Sequence, residues 1–307
     1  MTKVFIDGSA GTTGLRIHER LAAREDISCI ILPDEVRKDP SARREAMEQA
    51  DVAFLCLPDA AAIEAAELAK DTGVALIDTS TAHRTDDDWT YGFAEIGSLR
   101  ERIACSKRIS NPGCHASGFV ALIAPLVSNG LLKKDAKLSC FSLTGYSGGG
   151  KKMIAEYESS ERNKLFDAPR QYALAQTHKH LPEMVKTCSL EFAPAFCPIV
   201  GDFYSGMEVT VPVFASDLTG TIEDIRALYA QYYTGKIVHF DTNADEGGFL
   251  SANAFSGRDD MQITVCGNDE RILLVSRFDN LGKGASGAAI QNMNIYLGLD
   301  ETTGLCL

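Results

Sequence analysis

The stretch "VFIDGSAGTTGLRIHERL", residues 4–21, decides the reading of the fold. "KVFID" (3–7) has the continuous apolar character of a buried strand, and "LRIHERLAAR" (15–24) has the spacing of an amphipathic helix. Between them Gly8, Gly11 and Gly14 are spaced G-x-x-G-x-x-G, one residue longer than the usual dinucleotide fingerprint. The physical logic survives the change. Glycines permit a tight turn and close backbone approach, and a helix N-terminus offers free N–H groups and the positive end of a dipole to a pyrophosphate. Gly8, Ser9, Gly11, Thr12, Thr13 and Gly14 are therefore candidate cofactor-binding residues; the alternative is a packing loop without a ligand.

The same alternation continues outward. "ISCIIL" (27–32), "VAFLCLP" (52–58) and "VALIDTS" (74–80) read as strands, and "SARREAMEQA" (41–50) and "AAAIEAAELAKDTG" (60–73) as helices. Short apolar strands separated by helices indicate an α/β fold, a parallel Rossmann-type sheet covered on both faces. Beyond residue 114 the strands lengthen and partly alternate, at 137–148, 196–214, 261–268 and 271–280, with helices near 152–160, 181–190 and 221–233. That pattern predicts a second, α+β domain with a largely antiparallel sheet. A final helix, about 285–299, is apolar at Ala289, Met293, Tyr296 and Leu297, and is expected to pack back on the first domain. The expected division is 1–113, completed by the C-terminal helix segment 285–307, and 114–284.

With 307 residues, two domains are the default. The net charge of −12 argues against nucleic acid or an anionic membrane as partner. No apolar run approaches the ~18 residues of a membrane span. The chain opens directly into a strand, without a secretory leader pattern, and none of its nine cysteines forms a C-x-x-C pair, so a reducing cytoplasm is the expected location. At the end of the second strand, "ILPDEVRKD", Asp34 or Glu35 could take the ribose hydroxyl of NAD, and Arg37 and Lys38 the extra phosphate of NADP.

Two further segments carry chemistry. In "NPGCHASGFVALIAPL" (111–126) Cys114 stands at the start of a helix, where the dipole favours a thiolate. In "QYALAQTHKHLPEM" His178 and His180 lie two apart, and Glu183 three beyond. A thiolate nucleophile needs a proton carrier, and that carrier needs an orienting carboxyl. If the segment is extended the two histidines point to opposite sides, so only one reaches the sulfur. A metal is not expected, because no further ligand of suitable spacing accompanies the pair. "GYSGGGKK" (145–152) is a donor-rich loop.

Taken in order, the Gly8/Gly11/Gly14 loop, "VAFLCLPD", "DTSTAHR", "YGFAEI", "NPGC", "SGGGK", "HKHLPE" and "GKGASGAAIQNMNIYLG" resemble the short form of the N-acetyl-γ-glutamyl-phosphate reductase family, within the wider semialdehyde dehydrogenase group. The resemblance implies an NADPH-dependent enzyme of arginine biosynthesis that reduces an acyl phosphate to a semialdehyde through a cysteine thioester. It implies Cys114 as nucleophile, His180 as acid/base and Glu183 as the carboxyl beside it. It implies Arg84, Tyr172 and Ser147 at the substrate, Gly148 with Ser147 near the nicotinamide, and a homodimer or homotetramer. Departures stand after the cysteine, where His115-Ala116-Ser117 replaces the common Tyr-Pro-Thr, and at Lys151, where others carry arginine. Rival readings are an enzyme acting on another acyl phosphate such as the aspartyl one, a cysteine hydrolase, and a non-catalytic dinucleotide sensor.

Overall fold

The structure, a computed structural model, describes residues 1–307 and divides into two compact units. Unit 1 comprises Met1–Ala94, Ser98–Pro112 and Ala285–Leu305; unit 2 comprises Glu95–Gly97, Gly113–Gly284 and Cys306–Leu307.

Unit 1 runs β1 (Thr2–Asp7), α1 (Thr12–Ala22), β2 (Ile27–Ile30), α2 (Pro40–Gln49), β3 (Val52–Leu55), α3 (Asp59–Leu68), β4 (Ala75–Asp78), β5 (Thr90–Tyr91), α4 (Leu99–Cys105) and β6 (Arg108–Ser110). Its six-stranded sheet has the order β2-β1-β3-β4-β6-β5, and every pairing is parallel. Alternation along β1 explains the two covered faces. Val4 and Ile6 enter one core with Ile17, Phe54 and Ile77, and Phe5 enters another with Met47, Leu55 and Trp89. The C-terminal helix α9 (Gly287–Tyr296) is part of this unit. Its Ala289, Ile290 and Met293 are fully buried in the Val4 core. Each large side chain so placed contributes roughly 1.5–3 kcal/mol of burial.

Unit 2 runs α5 (Cys114–Ser128), β7 (Ser139–Gly145), α6 (Gly150–Glu158), β8 (Arg170–Gln171), α7 (Leu181–Cys188), β9 (Ala195–Gly201), β10 (Met207–Phe214), α8 (Ile222–Tyr232), β11 (Val238–Phe240), β12 (Met261–Gly267) and β13 (Arg271–Phe278), before the chain returns as α9 (Gly287–Tyr296). The seven-stranded sheet has the order β11-β12-β13-β10-β7-β9-β8. It is mixed but mostly antiparallel; only β11–β12 and β7–β9 pair in parallel. Met207, Val209, Val211 and Val213 of β10 face inward, against α5, which is buried from His115 to Val127. Gly118 permits this contact: a Cβ there would lie 2.4 Å from Val209 Cγ2. On the opposite sheet face Phe141, Phe214 and Leu273 are exposed.

The sequence pattern misses the strands β5, β6, β8 and β11, which hold only two or three residues each and carry no periodicity of their own. The second strand stops at Ile30 rather than at residue 32. The last helix starts at Gly287, not 285, because Gly282–Ser286 forms a π-helical turn before it. No helix is long and apolar enough to cross a membrane.

Candidate functional site

The first candidate site belongs to unit 1. β1 ends at Asp7, and Gly8 turns the chain with φ +87°, where a Cβ would lie 2.3 Å from the Cys56 carbonyl oxygen. Gly14 lies inside α1, with its missing Cβ aimed at the Gly8 oxygen 2.4 Å away. Gly14 lets helix and loop touch backbone to backbone, and Gly8 lets the loop touch the Cys56 backbone. Gly11 is the N-cap of α1; it donates its N–H to the Gly8 oxygen at 3.0 Å and supplies no side-chain cap. The first turn, beginning Thr12-Thr13, carries no acidic residue, so the positive end of the helix is not neutralised locally. A cavity of about 290 Å³ opens here, lined among others by Gly8, Ser9, Gly11, Leu57, Arg37 and Lys38. Free N–H groups, a glycine surface and two bases fit a dinucleotide pyrophosphate. Asp34 and Glu35 do not line the cavity, and Asp34 pairs with Arg37 at 3.3 Å. Beneath the loop, Asp7 is held by Arg43 at 2.9 Å; burial raises its carboxyl, and the Arg43 charge works against that rise.

The second candidate site belongs to unit 2, at the N-terminus of α5. Gly113 is the N-cap and Cys114 the first helical residue, half-buried, with no acidic residue in the first turn. The Gly113 N–H donates to Glu183 Oε2 at 3.1 Å. Glu183 lies in the first turn of α7, is 1% exposed, and its Oε1 stands 3.9 Å from His180 Nε2. One carboxyl thus ties the cap of the helix that carries the candidate nucleophile to the acid/base candidate. Elsewhere in the chain burial pushes up the thiols of Cys56, Cys140 and Cys188, that of Cys56 to about 12. Cys140 and Cys188 are packing residues, and Cys56 lines the cavity at the glycine loop.

The segment before α7 is turned, not extended. His180 has helical φ and ψ of −84° and −13°, the Leu181 N–H donates to the His178 oxygen at 3.0 Å, and the His180 N–H donates to His178 Nδ1 at 3.2 Å. The expectation that the two rings diverge is therefore corrected: their centroids are 4.6 Å apart. Both join a cluster that sequence reasoning missed, centred on His115. The His115 ring lies 5.5 Å from His180 and 5.7 Å from His178, its Nδ1 is 2.6 Å from Ser142 Oγ, and its Nε2 is 2.6 Å from Tyr172 OH. Burial, with the His178 charge adding to it, pushes the His115 ring down to about 3. Burial also raises the Tyr172 hydroxyl, with the Cys114 charge adding to it. Gly284 is a further omission. A Cβ at 284 would lie 3.0 Å from Cys114 Cβ, so the "GKGASG" turn packs tightly against the thiol-bearing residue. No group of three or more His, Cys, Asp or Glu side chains has metal-holding geometry.

Cys114, Tyr172, His180 and Glu183 are brought together in unit 2. Arg84 belongs to unit 1, buried, with Nε donating to the Asn111 oxygen at 2.9 Å and Nη2 to the Thr79 oxygen at 3.1 Å. Ser147 is 1% exposed and accepts from Asn280 Nδ2 at 3.0 Å, so its hydroxyl holds the loop; Gly148 beside it is exposed.

The family models agree with a glycine loop on a parallel sheet and a thiol–imidazole–carboxyl set on a second unit: the chain is a semialdehyde dehydrogenase. Residues 20–104 match that group's NAD binding domain, and residues 114–280 its dimerisation domain. The cofactor class is accordingly a nicotinamide dinucleotide. The chain is 44% identical to "N-acetyl-gamma-glutamyl-phosphate reductase 2" of Nostoc sp., covering 99% of each chain. It is 42% identical to the N-acetyl-gamma-glutamyl-phosphate reductase of Brucella ovis, covering 96% of this chain and 99% of that one. The chain belongs to the N-acetyl-gamma-glutamyl-phosphate reductase family. Among solved structures, aspartate semialdehyde dehydrogenase II of Vibrio cholerae, complexed with ASA, shares the fold with a TM-score of 0.73 at 17% identity, over 97% of this chain and 98% of that one. The Candida albicans aspartate semialdehyde dehydrogenase with NADP does so with a TM-score of 0.65 at 15% identity, over 96% and 98%.

Proposed function

We propose that this chain catalyses the NADPH-dependent reductive dephosphorylation of N-acetyl-glutamyl 5-phosphate to N-acetylglutamate 5-semialdehyde through a thioester on Cys114. The observation that carries the reading is Cys114 in the first turn of α5, with Glu183 bonded to the cap and facing His180. His180 takes the thiol proton, and the sulfur attacks the acyl carbon. A C–S bond forms, the C–O bond to phosphate breaks, and phosphate leaves with the electron pair and picks up a proton from water. Gly8, Ser9 and Gly11, with Arg37 and Lys38, would hold the dinucleotide, which would supply the hydride for the thioester carbon. When the resulting thiohemiacetal oxyanion collapses to the aldehyde, the C–S bond breaks with its electron pair on sulfur, and His180 returns its proton to that sulfur. Covalent capture divides one hard reduction into two easier steps. Glu183 orients the His180 ring and steadies the charge it carries between those two transfers.

For the cofactor, Arg37 and Lys38 on the cavity wall support NADPH, with its additional phosphate, over NADH. Arg84, Tyr172 and Ser147 are proposed substrate-site residues by family resemblance, Arg84 and Tyr172 as direct contacts and Ser147 by supporting the Gly148 turn. The exposed Phe141, Phe214 and Leu273 on one sheet face support association into a homodimer or homotetramer. A reducing cytoplasm would keep Cys114 a free thiol.

The test is reduction of NADP by the purified protein, given N-acetylglutamate semialdehyde and phosphate, beside a parallel assay with aspartate semialdehyde. Phosphate-dependent NADPH formation with the acetylated substrate alone is expected. Preference for aspartate semialdehyde, or no phosphate dependence, would overturn the assignment.

A further inference from the structure

His115 follows the proposed nucleophile directly and occupies a buried position, 3% exposed, between two hydroxyls. Ser142 Oγ stands 2.6 Å from Nδ1 on one side and Tyr172 OH 2.6 Å from Nε2 on the other. A neutral imidazole carries one proton, so this chain of three groups has two arrangements. Either Ser142 donates to Nδ1 and Nε2–H donates to Tyr172, or Tyr172 donates to Nε2 and Nδ1–H donates to Ser142.

Burial decides between them. Ser142 is 0% exposed on β7, and its hydrogen-bond partner is the His115 ring. A hydroxyl has one proton and two lone pairs. In the second arrangement the only Ser142 donor is left buried and unpaired, at a cost of about 1–3 kcal/mol. In the first, only an acceptor lone pair is under-used, which folded proteins tolerate better. The ring stays neutral at ordinary pH, because burial has pushed its titration far down. The Ser142 proton therefore sets the tautomer, and the tautomer sets the direction of the Tyr172 hydroxyl. Tyr172 accepts from His115, and its own proton is left for another partner. The Tyr172 ring is half-exposed and lies 6.1 Å, edge-on, from His178 in the same cluster.

We infer that His115 is a positioning residue: with Ser142 it forms a neutral hydroxyl–imidazole–phenol relay that keeps Tyr172 a hydrogen-bond donor to an oxygen of the acyl substrate. No bond is made or broken in the relay, and no net proton moves through it. The inference rests on the proposed reductase reading only in naming the acceptor; the tautomer itself does not depend on it.

The experiment has two arms. In the first, the protein is labelled with ¹⁵N in its six histidine rings and observed by NMR at neutral pH without ligand, with His115→Gln assigning the signal. A neutral ring protonated at Nε2 is expected. A ring protonated at Nδ1, or a doubly protonated ring, would overturn the inference. The second arm is a double-mutant cycle on kcat/KM with N-acetylglutamate semialdehyde. Ser142→Ala should lower kcat/KM on the order of 10-fold in the parent and change it little in the Tyr172→Phe background, as a lost hydrogen bond acting through Tyr172 requires. Independent, multiplying losses would mean that Ser142 and His115 merely pack the site, and would also overturn it. If the parent turns over no acetylated substrate, the reductase reading fails while the tautomer result still stands.

Discussion

Helices α1 and α5 both begin at a glycine N-cap, Gly11 and Gly113, and neither cap supplies a side chain to the free N–H groups behind it. From that common start they diverge. α1 is amphipathic, burying only Gly14, Ile17 and Leu21, and its first turn borders a cavity lined by backbone and two basic side chains. α5 is buried from His115 to Val127, and its cap N–H is taken by the Glu183 carboxyl at 3.1 Å. The first end is left open, as an anion site requires. The second has a carboxyl beside it, which offsets part of the help a helix end gives to a thiolate and stands 3.9 Å from His180, the ring it is proposed to orient. On the proposed function the same backbone device supports binding at one place and covalent chemistry at the other, and the difference lies in what the rest of the chain brings to it.

The sharpest way to break this comparison is to remove the thiol. Cys114→Ala should abolish turnover and leave dinucleotide affinity unchanged, since the glycine loop belongs to unit 1. Cys114→Ser should also fail, because an unactivated hydroxyl is a far weaker nucleophile. Steady-state kinetics beside a dinucleotide titration read both quantities, and appreciable dehydrogenase activity in either variant removes the covalent mechanism.

His180→Asn should lower kcat by a factor on the order of 10²–10⁴, the range of general acid–base assistance. The pH–rate profile should lose one limb in this variant. With the rings only 4.6 Å apart and His178 Nδ1 accepting from the His180 backbone, His178→Asn is also expected to lower kcat, though by less. A larger loss at 178 than at 180 would exchange the two roles.

On the α1 side the effects are smaller. Arg37→Ala and Lys38→Ala should each weaken NADPH more than NADH, by roughly 1.5–3 kcal/mol if each contributes a charged hydrogen bond. Equal losses for the two cofactors would mean that these bases serve the shared pyrophosphate instead.

The smallest effect expected is on stability in acid. His115, enclosed by Tyr172, His178, His180, Ser142 and Phe196, is held at about 3, against 6.5 for an exposed ring. Below pH 6.5 the unfolded chain takes up a proton that the folded chain refuses. Stability therefore falls as pH drops from 6.5 towards 3 and is unaffected by this group above that window. The loss is on the order of 2 kcal/mol at pH 5. His115→Phe should flatten that part of the stability–pH curve, whatever constant offset the unpaired hydroxyls introduce. Denaturant melts at several pH values would show it, and an unchanged slope would mean that the ring is already charged in the fold.

Much of unit 1 is legible because its signals are local. A strand, a glycine loop and a helix follow one another within residues 3–24, and the contact that needs Gly14 lies inside that segment, although Gly8 is needed against the distant Cys56 backbone. Cys114 is legible for the same reason: the turn before it and the helix after it are contiguous. His115 is not. In sequence it is one polar residue ahead of an apolar run, and only the approach of Ser142 from β7, Tyr172 after β8 and His178 before α7 makes it the centre of a cluster. The His178 ring was misjudged because a two-residue spacing implies opposite directions only in an extended chain, and Pro182 with α7 behind it imposes a turn. The short strands β5, β6, β8 and β11 were missed because their pairing partners, not their own residues, make them strands.

By itself the sequence determined the elements whose causes are periodic or contiguous: the alternating strands and helices of unit 1, the glycine path for a dinucleotide, the thiol at the head of a buried helix, and the His–Glu pair on one turn. Only the tertiary structure decided which carboxyl oxygen meets the cap of α5, which ring nitrogen meets which hydroxyl, and that Arg37 and Lys38 rather than Asp34 and Glu35 face the cavity. Those facts depend on distances between residues far apart in the chain, and hydrogen bonds and charges act across a few ångströms of space, whatever the separation in sequence.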